Sequence, residues 1–190
     1  MIARDEAINA IASQLDEDDL VITTTGMISR EAFSVLDRPG NFYMLGSMGL
    51  ASALGLGLAL LVPRRRVFVL EGDGSALMSL GALPLIGAER PPNLVHVVLD
   101  NEAYESTGAQ PSITTRVDLA AIGRSSGYRG AIGCEDQETL VEELARTRTD
   151  GGPRLLVVKT RLASARDVPR VSRSTMEIRD TFRRSVEART

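Results

Sequence analysis

An aspartate between two glycines, Gly72-Asp73-Gly74, stands with Ser75 at the end of the apolar run 67–70, and a second apolar run, 94–99, ends at Asp100-Asn101. Both runs read as buried strands of a parallel sheet, so their C-terminal ends lie close together and Asp73 and Asn101 face one crevice. A carboxylate and a carboxamide held there suit a hard divalent cation that takes oxygen ligands and bridges to phosphate. A backbone carbonyl from the loop after Asn101 is a natural third ligand. The Gly72–Ser75 turn, placed between a strand and a helix, also offers backbone N–H groups and a helix dipole to an anion. Taken alone, a glycine-flanked aspartate also fits a purely structural turn; the combination with Asn101 carries the argument.

The elements that must position these residues follow from periodicity. Ala7, Ile8, Ile11, Ala12 and Leu15 recur at helical spacing over 5–15. Residues 20–23 form a β-branched strand that runs into a polar turn, Thr24-Thr25-Gly26. A helix is expected over 29–36, with Ser29 as N-cap and Pro39-Gly40 as its stop. A short aromatic run, 41–45, leads to the turn Gly46-Ser47-Met48-Gly49. The helix 50–61 is apolar nearly all round and contains Gly55 and Gly57, which destabilise a helix unless something packs close to the backbone. That neighbour is either the sheet or a ligand near the helix N-terminus.

Further helices are expected over 76–87, 117–124 and 137–146, and strands over 128–132 and 154–159, with a functional loop over 101–115. A charged C-terminal helix, about 172–188, carries Ile178, Phe182 and Val186 at every fourth position and so docks on its own domain or on a neighbour. Strand and helix alternate, which predicts an α/β fold: one doubly wound, mainly parallel sheet with helices on both faces, in a single domain spanning 1–190.

A formal net charge of -3 gives no electrostatic reason to expect nucleic acid or an anionic membrane as partner. Arg64, Arg65 and Arg66 read as a solvated turn before a strand. The one cysteine, Cys134, precludes an intrachain disulfide, lies in an apolar context and fits a reducing cytoplasm. The acidic N-terminal segment lacks the pattern of a signal peptide, and the apolar segment 48–62 falls short of the roughly twenty residues that span a bilayer. His96, the only histidine, lies within a strand and reads as a satisfied core residue.

GDGS followed by a strand and N-x-A resembles the thiamine-diphosphate motif of the 2-oxoacid decarboxylase and transketolase superfamily. The resemblance implies thiamine diphosphate and Mg2+ as cofactors, with Mg2+ on Asp73, Asn101 and the main-chain carbonyl of Ala103. It leaves open the role of Asp100, where the family usually has a second asparagine. It further implies that Gly46 presents a carbonyl to the aminopyrimidine and that Met48 props the cofactor in its bent shape; core filling is the other reading of Met48. Thr25-Gly26 resembles a diphosphate-contacting turn.

More narrowly, TTTGMISRE, FYMLGSMGLASALGLGLAL, EGDGSALMSLGAL and LDNEAYESTGAQPS are together similar to the phosphonopyruvate and sulfopyruvate decarboxylases. This makes Ser106, Thr107 and Gln110 candidates near the substrate or the thiazolium, against the alternative of a polar surface loop. The family activates its cofactor with a glutamate from a separate pyrimidine-binding domain, for which 190 residues leave no room. The resemblance therefore implies a β subunit that works with a pyrimidine-binding α subunit, in an α2β2 or larger heteromer, on a small anionic 2-oxoacid. Competing readings are half of another thiamine-diphosphate enzyme, such as a carboligase or a 2-oxoacid oxidoreductase, and a non-catalytic cofactor-binding module.

Overall fold

The computed structural model describes residues 1–162 and 168–188. In chain order the elements are α1 (Arg4–Ser13), β1 (Leu20–Thr23), α2 (Met27–Val35), β2 (Asn41–Tyr43), α3 (Ala51–Leu61), β3 (Val67–Gly72), α4 (Asp73–Met78) and α5 (Ala82–Glu89). They continue with β4 (Leu94–Asp100), β5 (Ala103–Tyr104), β6 (Gln110–Pro111), α6 (Leu119–Ser126), β7 (Gly130–Cys134), α7 (Gln137–Arg146), β8 (Arg154–Lys159) and α8 (Thr175–Glu187). The main sheet has six strands in the order β2-β1-β3-β4-β8-β7, all parallel, and β5 pairs with β6 in a small antiparallel ribbon.

Strand alternation builds two cores. Leu20, Ile22, Val67, Val69, Leu94, Val98, Leu155 and Val157 face α3, α5 and α6, whereas Val21, Phe68, Leu70, Val95, Val97, Leu99, Leu156 and Val158 face α1, α2 and α7. Burial on both faces explains why these strands read as continuous apolar runs. Gly55 brings α3 onto the sheet: a Cβ there would overlap Cγ2 of Val69. Gly57 is exposed, with no atom within 4 Å of such a Cβ, so close packing explains only the first glycine.

α8 sends Ile178 into one core and packs Phe182 and Val186 against the other, with the Phe182 ring 5.3 Å from that of Phe42 on β2. The stripe therefore docks on its own sheet and covers an edge strand.

Several local expectations shift. α2 begins two residues before Ser29, and Gly26, at φ +89°, is its N-cap. Ser29 instead turns its hydroxyl onto the carbonyl of Thr24, 2.7 Å away. The helix expected over 76–87 is two helices, because Pro84 has no N–H to donate to Leu80 and its ring would strike that carbonyl. The arginine run is not solvated throughout: Arg65 is buried, donating to the carbonyls of Asp18 and Ser185, and Arg66 pairs with Asp19. These contacts tie β3's entry to the loop between α1 and β1 and to α8. No helix among the described residues is long and apolar enough to cross a membrane.

Candidate active site

From β1 the chain crosses to β2 on one side and returns to β3 on the other, so the sheet's switch point lies between β1 and β3, where open α/β sheets bind ligands. A cavity of about 270 Å3 opens there, at the C-terminal ends of β1, β3 and β4. Thr24, Thr25 and Gly26 line it from β1, Gly72 to Ser75 from β3, and Asn101 and Ala103 from beyond β4. Met48, Ser106 and Thr107 also line it. Two expected residues lie apart. Gly46 lines a neighbouring cavity between β2 and α8, and Gln110 is exposed on β6, bonded to Thr107 through both ends of its carboxamide.

Asp73 is buried at the first position of α4, which has only six residues and therefore a weak dipole. Its Oδ2 accepts from Ser112 Oγ at 2.5 Å and Thr114 Oγ1 at 3.3 Å. Burial pushes its pKa up, and the charge of Asp100 adds to the rise, against the hydroxyl donors and the Gly74 N–H. An anion in that state is short of positive charge, which a divalent cation would supply. Asp100 itself turns away. It accepts from Lys159 Nζ at 2.7 Å, from Thr114 Oγ1 at 2.8 Å and from the Glu102 N–H at 3.0 Å. Burial opposes the Lys159 charge, but bonds to Asp100 and Glu102 more than restore it and raise its pKa. Asp100 thus anchors the loop, and Thr114 links it to Asp73.

Glu102 adopts φ +59°, a left-handed turn directly after Asn101 that brings Ala103 to the cavity. The Asn101 Oδ1 accepts from the Ala103 N–H at 3.1 Å, and its Nδ2 donates to Glu105 at 3.0 Å. Among the described residues no group of three or more His, Cys, Asp or Glu forms a metal cage. The donors here are hard oxygens, few in number, as suits Mg2+ completed by phosphate oxygens and water. Gly74 keeps the floor open: a Cβ there would come within 2.7 Å of the Tyr104 ring and 3.2 Å of Met48 Cε. The residues present therefore fit a magnesium-bound diphosphate.

Ser75 is buried and bonded on all sides. Its hydroxyl donates to Glu71 Oε2 at 2.6 Å and accepts from the Gly49 N–H at 3.1 Å, with Thr24 Oγ1 also at 3.1 Å. It pins the turn carrying Met48 to the end of β3. Behind it, Glu71 Oε1 lies 2.7 Å from His96 Nε2, and His96 Nδ1 lies 2.9 Å from the Tyr128 hydroxyl, so the histidine is a satisfied core residue. Cys134 is buried with its thiol pKa pushed up to about 12 by burial and nearby acidic groups, so it is no nucleophile at neutral pH.

Sequence reasoning missed Arg4, Glu105, Ser112 and Thr114. Ser112-Ile113-Thr114 does carry a local signal, a Ser N-capping its own short turn by accepting from the Thr114 N–H. Arg4 carries none, since nothing local marks an arginine that reaches across the fold.

A parallel sheet with a diphosphate-ready crevice at its switch point defines a cofactor-binding α/β domain, and residues 22–158 match the thiamine pyrophosphate enzyme family's C-terminal TPP binding domain. The chain belongs to that family. It is 43% identical over 190 residues to the protein named sulfopyruvate decarboxylase subunit beta of Methanothermobacter thermautotrophicus, covering 98% of it. It is 41% identical over 177 residues to the phosphonopyruvate decarboxylase of Streptomyces viridochromogenes, where it spans 44% of the relative's length. Among solved structures, a thiamine diphosphate-dependent 4-hydroxybenzoylformate decarboxylase of Rhodococcus jostii superposes with a TM-score of 0.75 at 20% identity, over 86% of this chain and 33% of that one. This last likeness bears on the fold alone.

Proposed function

We propose that this chain is the diphosphate-binding β subunit of a cytoplasmic thiamine-diphosphate-dependent decarboxylase, which converts 3-sulfopyruvate or 3-phosphonopyruvate to the corresponding acetaldehyde and CO2. The observation that carries the reading is end-to-end similarity to a protein named as the beta subunit of sulfopyruvate decarboxylase, 43% identical and covered over 98% of its length. The cofactor, when bound, supplies the electron sink that lets CO2 leave a 2-oxoacid. This chain's part is to hold and orient it.

Asp73, the Asn101 Oδ1 and the Ala103 carbonyl are assigned to Mg2+. Gly72, Gly74 and the Thr25-Gly26 turn give the diphosphate room beside the backbone, and Ser75 acts indirectly by fixing Gly49. Met48, over the cavity, is assigned to the cofactor's other end, whereas Gly46, in the neighbouring cavity between β2 and α8, stands outside that crevice. Ser106 and Thr107, which line the cavity wall, are assigned to the substrate, and Gln110 braces Thr107. The glutamate that activates the cofactor is assigned to a pyrimidine-binding α subunit. Leu50 just before α3, Leu54 and Leu61 on it, and Met78 after the glycine-flanked aspartate are exposed and offer apolar surface to such a partner.

The test is CO2 release with thiamine diphosphate and Mg2+, assayed with this chain, the partner subunit, and both. Turnover of one of the two acids is expected only from the mixture. Robust turnover by this chain alone, or none of either acid by the mixture, would contradict the proposal.

A further inference from the structure

A carboxamide can offer a cation its oxygen or its nitrogen, and only the oxygen ligates. At Asn101 two neighbours decide between them. The Ala103 N–H donates to Oδ1, and Nδ2 donates to Glu105 Oε2 at 3.0 Å. An ionised carboxylate only accepts hydrogen bonds, so a flipped Asn101 would set its oxygen against an anionic oxygen. Glu105 is held in its turn by Arg4 of α1, whose Nη1 donates to the same Oε2 and whose Nη2 lies 3.3 Å from Oε1. The guanidinium also grips Glu31 of α2 with two bonds of 2.8 Å, from Nε and Nη2. Arg4 and Glu31 are buried, 6% and 7% exposed.

Charges at that depth are costly, and apolar side chains of similar size would hold α1 against α2 at least as well. What apolar side chains could not do is present a pure acceptor to the Asn101 amide. The cluster also carries two carboxylates to one guanidinium, and its Arg4 and Glu105 line the cavity that Asp73 lines, a negative excess that favours a cation.

We propose that Arg4, Glu31 and Glu105 are positioning residues that keep the Asn101 carboxamide oxygen turned to the crevice and thereby set the affinity for the divalent cation. This rests on the assignment of Asp73 and Asn101 as cation ligands. The informative variant is Glu105→Gln, equal in shape. Its single carbonyl oxygen cannot satisfy both edges of the guanidinium and the Asn101 amide, so it no longer enforces one orientation.

The test is a titration of Mn2+ into the full chain at saturating thiamine diphosphate, with free Mn2+ read by electron paramagnetic resonance. Each variant is measured below its own metal-free melting transition. Asp73→Ala is expected to abolish binding. Glu105→Gln and Arg4→Gln are each expected to weaken it about tenfold or more. The double variant is expected to lose no more than the worse single one, because both act through one amide. Wild-type affinity in Glu105→Gln alongside loss in Asp73→Ala would overturn the positioning role and leave the ligand assignment standing. Undiminished binding by Asp73→Ala, or no binding by the wild-type chain, would overturn both.

Discussion

Asp73 shows how one side chain can be wrong for the empty fold and right for the loaded one. Its pKa is raised by burial and by Asp100, so the folded chain without cation keeps a proton that the unfolded chain gives up. Stability from that proton is full below the unfolded carboxylate value and is lost as pH rises through the raised one. Asp73→Asn removes the loss, since a neutral amide can still bond to the hydroxyls of Ser112 and Thr114 and to the Gly74 N–H. At neutral pH and without metal, the variant is expected to be more stable than the wild type and to melt at a higher temperature. The same variant should fail to bind Mn2+ with thiamine diphosphate. A lower metal-free melting temperature would show that the charge is already compensated.

At this scale the sequence was legible where chemistry is local. Asp73 and Asn101 meet at one cavity, as the spacing of two strand ends required, and Ala103, which the family resemblance supplied, lines it too. Arg4 and Glu105 lie 101 residues apart in sequence, and only the register of α1 against the β4 loop brings them together.

The helix α3 poses a sharper question, because its two glycines look alike in sequence and differ in surroundings. Gly55 faces Val69 with no room for a methyl group, so Gly55→Ala is expected to cost about 1–3 kcal/mol through overpacking. Gly57 faces open space, so Gly57→Ala is expected to stabilise the isolated chain by up to about 1 kcal/mol through helix propensity. Thermal melts of the two variants should move in opposite directions; movement in the same direction would refute this account of the α3 packing. Periodicity located α3, α7 and β8 well because long apolar or amphipathic patterns leave little choice. It joined α4 to α5 because it weighed apolar spacing above the missing N–H of Pro84. It placed the start of α2 at Ser29 because a serine there imitates a cap, while the glycine that makes the turn stands three residues earlier.

Across the whole molecule, alternating strands split the apolar residues between two cores and leave the polar strand ends at one edge. That division was readable from the βαβ alternation, and so was the edge on which the ligand crevice had to open. The contacts of α8 were not, because an amphipathic stripe says that a helix docks without saying where; Phe42 and Arg65, from two separate strand regions, settle it.

Asp73, Asn101 and the Ala103 carbonyl are proposed to grip one cation beside a diphosphate. Anomalous diffraction from crystals of the chain with its partner, Mn2+ and thiamine diphosphate tests it directly. A single strong peak is expected about 2.0–2.3 Å from those three oxygens and from the diphosphate. A peak elsewhere in the fold, or a diphosphate bound away from the Gly72–Ser75 turn, would contradict it.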